Sequence, residues 1–297
     1  MYLDRGNRGL IMNKRVVDTW NKVAKDFGKI GPKYWNYFGC QLVEISQVKS
    51  GSTVLDIGCG AGASLFPAAE KVGNHGQVIG IDIAESMVKV CEESRKSLSL
   101  SNVEVLEMDA AHLAFNHHQF DYVLNGFGLP YLYNTDHDFA GIKRVLVRHG
   151  SFCMVTWGEQ DDNPWLSGLI QKYLPPANPT DKKEDNKQKK EHQNEEQANK
   201  KKRSLTSEDD LRMIFQEAGF CKIHIQLEDR LFTYEDEDQW WAEMNSNAVK
   251  GILDRIEATG QDKLEQLKKE AYEGLEQYRT EEGFTFKRSV YYIIAKL

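Results

Sequence analysis

Ten residues, Thr53 to Gly62 (TVLDIGCGAG), constrain what this chain can fold into more than any other stretch. Val54, Leu55 and Ile57 are strand formers interrupted only by Asp56, and the run breaks into a turn at Gly58. Leu65, Ala68, Ala69 and Val72 then recur at helical spacing, so the unit reads as strand, glycine turn, helix. Glycines let backbone pass close to a ligand without a Cβ in the way, and a helix N-terminus offers N–H groups to something negative or polar. The unit therefore predicts the first ligand loop of an open α/β sheet, and the remaining question is which ligand.

The rest of the chain supplies the sheet. Strands are expected near 53–57, 77–82, 102–108, 120–125 and 151–157, with helices near 62–72, 84–97 and 136–148 and a short helical turn at 110–114. That alternation predicts an α/β, doubly wound, mostly parallel sheet whose strand C-terminal ends share one edge, where ligands bind. Residues 1–50 form a helical segment ahead of it, with Val16, Val17, Trp20, Val23 and Phe27 in one amphipathic pattern and an aromatic start (Tyr34, Trp35, Tyr37, Phe38) in the next. Residues 51–297 make the main domain, interrupted twice. Segment 177–203 holds no large apolar residue and nine basic against six acidic side chains, which predicts a disordered insertion. Segment 235–281 is helical, carries Trp240 and Trp241, and is expected as a lid of two helices between the last two strands, near 221–227 and 289–296.

Charge and composition exclude several classes. A net charge of -7 argues against a surface that neutralises nucleic-acid phosphates. No apolar run approaches the roughly 20 residues of a spanning helix and no signal-peptide core precedes Asn13, so a soluble, cytoplasmic protein is expected. Five scattered cysteines without a CxxC pair predict reduced thiols and no metal site.

At the predicted strand ends stand Asp56 to Gly60, Asp82, Asp109, Asn125 and Trp157. Gly58, Gly60 and Ala63 fit the G-x-G-x-x-G/A spacing of dinucleotide sites and Asp82 stands where a ribose-binding acid belongs, so a nicotinamide oxidoreductase has to be weighed. Asp56 argues against it, because a carboxylate two residues before the first glycine would face the notch meant for a pyrophosphate. A non-catalytic module that binds a cofactor for a partner complex is the other alternative.

VLDIGCGAG, IGIDIAESM and VEVLEMDAAHLAF together resemble the first three motifs of the class I S-adenosylmethionine-dependent methyltransferases, from about Val16 to Trp165 and more loosely beyond. The resemblance implies a seven-stranded Rossmann-like sheet and S-adenosyl-L-methionine as cofactor. It implies a loop of Asp56, Gly58, Cys59, Gly60 and Gly62, an acid for the ribose hydroxyls at Asp82, adenine packing by Ile83 and Met87, and an adenine-amino acceptor at Asp109 beside Ala110. FDYVLNGFGLPYL, with Asn125, looks like the fourth strand, and NGFGL is similar to the ubiquinone and menaquinone C-methyltransferase branch. Two departures stand out: Val147, Arg148, His149 and Gly150 replace that branch's Lys-Pro-Gly-Gly turn, and Phe27 occupies the position of an aromatic hydroxyl.

Methyl transfer from a sulfonium needs alignment more than activation. The acceptor side is expected to be a small, largely apolar or aromatic molecule met by Trp20, Tyr34, Trp157, Trp165, Trp240 and Trp241. A carbon or hydroxyl acceptor would also need a base, for which His137 is the first candidate and Glu159 the second, whereas His112, His117 and His118 read as solvent-exposed. Asn125-Gly126-Phe127-Gly128 lacks the Asn-Pro-Pro-aromatic signature of nucleobase methylation.

Overall fold

Strand β1 (Thr53–Ile57) is buried on both faces, with Val54 packed on one side of the sheet and Leu55 and Ile57 on the other. Burying three such side chains stabilises by roughly 1.5–3 kcal/mol each, which outweighs the roughly 1–3 kcal/mol of burying one incompletely bonded polar group, here Asp56. The computed structural model describes residues 14–128, 130, 136–175 and 205–297, so the predicted 177–203 insertion lies outside the described residues. Around β1 stand β2 (Gln77–Asp82), β3 (Val103–Glu107), β4 (Phe120–Gly126), β5 (Leu146–Trp157), β6 (Lys222–Tyr234), the two-residue β7 (Arg279–Thr280) and β8 (Gly283–Lys296).

The sheet order is β3-β2-β1-β4-β5-β8-β6, with β7 pairing on β8. The strands from β3 to β5 run parallel; β8 is antiparallel to both β5 and β6. The order reverses between β1 and β4, and that is where a doubly wound sheet opens its crevice. The expected seven strands are present and β7 adds an eighth. Helices α1 (Lys14–Val23), α2 (Tyr34–Ile45), α3 (Leu65–Val72), α4 (Glu85–Ser97), α5 (Asp136–Val145), α6 (Asn163–Tyr173) and α7 (Glu208–Glu217) cover it. Residues of α2 and α3 join the core on one face, and those of α5 and α7 the core on the other.

Three boundaries differ from the sequence expectation. The helix predicted for 136–148 stops at Val145, because Leu146 already pairs with Phe120 and the strand then bulges before Tyr122 meets Ser151. The last two long strands are about twice as long as expected, with thirteen paired positions from Lys222↔Lys296 to Tyr234↔Phe284. Only Val290 to Lys296 of β8 also pair with β5, so the ribbon's other half continues past Trp157 and buries Phe232, Tyr234, Phe284 and Phe286 in the core shared with α2. Finally, the 235–281 insertion consists of three helices, α8 (Glu237–Met244), α9 (Lys250–Glu257) and α10 (Gln261–Leu275), not two.

The N-terminal helices are fastened to different parts. Asn21 of α1 accepts from the Ser86 N–H at the start of α4, and Lys22 pairs with Asp254 of α9 at 2.5 Å. Helix α2 lies so close to the glycine turn that a Cβ on Gly39 would come within 2.5 Å of the Ala63 carbonyl. Glycine is required there by contact rather than by φ.

Candidate functional site

The glycine turn is held from below and from the side. The N–H groups of Gly58 and Cys59 both donate to the Ile81 carbonyl of β2, while Gly60 N–H donates to Asp82 Oδ2 at 3.0 Å. The other oxygen, Asp82 Oδ1, accepts from Ala84 N–H at 2.9 Å, so one carboxylate pins both the turn and the start of α4. Burial pushes the Asp82 carboxyl upward, and the backbone N–H groups of Ala84, Gly60 and Ile83 pull it back. At Gly62 the backbone has φ +93°, and a Cβ would fall 2.2 Å from the Phe66 ring, so two independent constraints select glycine.

Asp56 is fully buried behind the turn. Its Oδ2 accepts from Ser64 Oγ at 2.8 Å, while its Oδ1 has no partner. Burial, partly opposed by the Ser64 bond, pushes its pKa to about 7. Asn125, at the end of β4, donates through Nδ2 to the Ile57 carbonyl and accepts through Oδ1 from Gly128 N–H, locking the β1 and β4 ends together.

These ends open onto a cavity of about 290 Å³. Gly58, Cys59, Gly60, Asp82, Ile83, Met87 and Ala110 line it together with Phe27, whose ring lies 3.4 Å from where a Gly60 Cβ would stand, while the mutually packed rings of Trp35, Phe127 and Trp157 form its aromatic end, with Trp20 and Ala248 also on the wall. Asp82 is the charged side chain of this lining, and no lysine, arginine or histidine joins it among the described residues. A phosphate would find no counter-charge here. A cationic nucleoside finds a carboxylate at the lining, a second one with an orphaned oxygen behind it, and a glycine turn open to close approach, so S-adenosylmethionine fits the residues present.

Sheet order, turn and acids together define a Rossmann-like S-adenosylmethionine-dependent methyltransferase. Residues 48–219 match the family model described as a methyltransferase domain, and the chain belongs to that family. It is 38% identical over 119 residues to the aklanonic acid methyltransferase DauC of Streptomyces sp. (strain C5), a match covering 40% of this chain and 54% of that protein. It is 31% identical over 169 residues to the demethylmenaquinone methyltransferase of Bacillus cereus (strain ATCC 10987 / NRS 248), covering 54% of this chain and 68% of that one. The chain thus spans about half of the first relative's length and about two thirds of the second's. In fold it is similar to the YcgJ protein of Bacillus subtilis, with a TM-score of 0.54 at 15% identity over 88% of this chain and 98% of that one.

Several expected site residues lie elsewhere. Asp109 is absent from the lining although its neighbours Met108 and Ala110 are present; its Oδ1 accepts from Ala111 N–H and caps its own short turn. Gly62 and Asp56 support the turn from behind. Trp240 is buried among Trp165 and Trp241, with ring centroids 5.9 and 6.3 Å away, and Trp165 packs on Tyr278 as well. None of these three tryptophans, nor Tyr34, lines the cavity; the insertion reaches it through Ala248. Their apolar surface is consumed in seating the insertion on α6. Glu159 is exposed and off the lining, and His112, His117 and His118 are exposed. His137 stands on the first turn of α5, and its side chain lies outside the described residues.

Sequence reading underrated Trp35, Phe127 and Phe27. Phe127 carries φ +60°, a left-handed backbone that costs a non-glycine residue roughly 1–2 kcal/mol. Its N–H donates to the Val155 carbonyl at 2.8 Å and its ring lies 4.4 Å from Trp157, so the strained backbone holds the ring against the wall. Phe127→Gly should therefore be about 1 kcal/mol more stable than Phe127→Ala despite removing more side chain, as read by urea titration. Equal or reversed stabilities would mean that Phe127 sits there without strain.

Proposed function

We propose that this methyltransferase acts on a small planar aromatic acceptor of the phenolic or hydroquinone class, seated on the aromatic end of the cavity. The observation that carries the reading is the contiguous wall formed by Trp35, Phe127 and Trp157, whose ring centroids lie 4.4 to 5.4 Å apart. Faces and edges at those spacings favour a flat π-system, and one relative named above is a demethylmenaquinone methyltransferase, whose name carries a quinone.

S-adenosylmethionine supplies a methyl group already activated on a sulfonium. The chain's own residues bind, orient and exclude water. Asp82 would accept from a ribose diol, Ile83, Met87, Met108 and Ala110 would hold the adenine by apolar contact, and Gly58 to Gly60 would leave room for the rest of the cofactor beside the turn. Trp35, Phe127 and Trp157 hold the acceptor ring in line, which is where the rate of such a displacement originates. Asn125 supports both halves by tying β1 to β4.

The test is transfer of labelled methyl from S-adenosylmethionine to 1,4-naphthohydroquinone and to a hydroxylated anthraquinone, with phosphoethanolamine and glycine as non-aromatic controls. Label in the ring compounds, reduced at least tenfold by Trp157→Ala, is the expected result. Label confined to the amine acceptors would overturn the reading.

A further inference from the structure

Glu243 of α8 is 1% exposed, yet it is a carboxylate. Its Oε1 accepts from the Tyr34 hydroxyl of α2 and its Oε2 from the Tyr234 hydroxyl at the end of β6. The indole N–H of Trp35 is buried without a hydrogen-bond partner among the described residues, and the Trp35 ring packs on that of Tyr34 with centroids 5.0 Å apart. Arg288 of β8, paired with the buried Asp162 at 2.7 Å, adds a positive charge to the same neighbourhood. Burial raises the Glu243 carboxyl, and the two phenols and Arg288 oppose that rise.

The backbone of the same residue is engaged too. The Glu243 carbonyl accepts from Ser246 Oγ at 2.9 Å and from Asn247 Nδ2 at 3.0 Å, which shapes the turn leading to Ala248. Ala248 and Trp35 both line the cavity, and Trp35 stands 5.0 Å from Phe127 and 5.4 Å from Trp157 by ring centroid. One residue thereby touches, at one remove, two separate pieces of the acceptor wall. A buried charge is an expensive way to join helices, since an apolar contact of the same volume is often as stabilising. Directional bonds to two phenols fix geometry in a way that an apolar contact does not.

We infer that Glu243 is a positioning residue for the acceptor: by holding Tyr34 and Trp35 on one side and the Ala248 turn on the other, it sets the width and tilt of the aromatic site. The inference rests on the proposed aromatic acceptor site and deepens it. It also assigns the helical insertion a role exercised through a carboxylate and a turn, not through its paired tryptophans.

The experiment compares wild type, Glu243→Gln, Tyr34→Phe and Leu267→Ala, the last a buried apolar change on α10 that removes none of the network's hydrogen bonds and reports plain destabilisation. Each protein is labelled with 5-fluorotryptophan, with the Trp35 ¹⁹F resonance assigned by Trp35→Phe. S-adenosylhomocysteine affinity is measured by calorimetry and 1,4-naphthohydroquinone turnover by label transfer. Glu243→Gln should move the Trp35 resonance and raise the acceptor KM about tenfold, leaving the S-adenosylhomocysteine Kd within twofold, and Tyr34→Phe should do the same to a smaller extent. An unmoved Trp35 resonance, or the same KM rise in Leu267→Ala, would overturn the assignment. If the wild type fails to turn over the naphthohydroquinone, the acceptor class is wrong, and the ¹⁹F comparison still decides whether Glu243 positions Trp35.

Discussion

Replacing Asp82 by Asn is expected to weaken S-adenosylhomocysteine binding by about 100-fold with little change in the far-ultraviolet spectrum. The side chain already anchors Gly60 and Ala84 through one bond from each oxygen, and its remaining lone pairs line the cavity. An amide of the same shape turns one of those oxygens into a donor. It would then oppose a backbone N–H and withdraw an acceptor from the ribose diol. Hydrogen bonds to a charged acceptor contribute roughly 1.5–3 kcal/mol each, so losing one or two spans tenfold to well over a hundredfold in Kd. Calorimetric titration reads this directly, and a change smaller than threefold would remove Asp82 from the cofactor site. The melting temperature should also fall, because the turn and the start of α4 lose their common tie.

The second large effect is a pH dependence set by Asp56. Its pKa in the folded chain, about 7, lies above the ordinary value of 3.8 because the carboxyl is fully buried and one oxygen has no donor. Between those two values the folded chain holds a proton that the unfolded chain has released. Stability conferred by that proton is complete below about pH 4, falls as pH rises towards 7 and is gone above it. Three pH units at 1.36 kcal/mol each bound the loss at about 4 kcal/mol. Asp56→Asn should abolish most of this slope and be more stable than wild type at pH 8, as read by urea titrations at pH 5 and 8. A cation on the turn favours the ionised carboxylate, so affinity for the sulfonium form should rise by about tenfold from pH 6 to 8, relative to the neutral thioether product. A wild-type stability that is flat from pH 5 to 8 would mean that Asp56 is ionised throughout.

The strongly local parts of this protein were legible in the sequence. Strand, turn and helix around Gly58 to Gly62 follow from a short run of strand formers buried on both faces and from glycines where φ is positive, and both are properties of neighbours in the chain. The acid at the end of β2 was equally visible, since a parallel sheet puts successive strand ends on one edge. Asp109 is less legible, because an acid at a strand end can serve a ligand or its own turn, and here its Oδ1 accepts from Ala111 N–H.

What the sequence by itself determined was therefore the donor side: an α/β sheet, its glycine turn and a cationic nucleoside as guest. Tertiary structure decided which of the expected aromatic residues line the cavity: Trp20 and Trp157 do, and Trp35 and Phe127 join them. Trp240 and Trp241 looked like a lid because tryptophans are large and paired, but they are spent on packing the insertion, and their surface is hidden from the cavity. Trp35, Phe127 and Trp157 meet although 122 residues separate the first from the last, and Glu243 reaches Tyr34 across 209. Contacts at such separations are set by how α2, the long β6–β8 ribbon and the insertion settle on one another. No periodicity within any one of those segments records that arrangement.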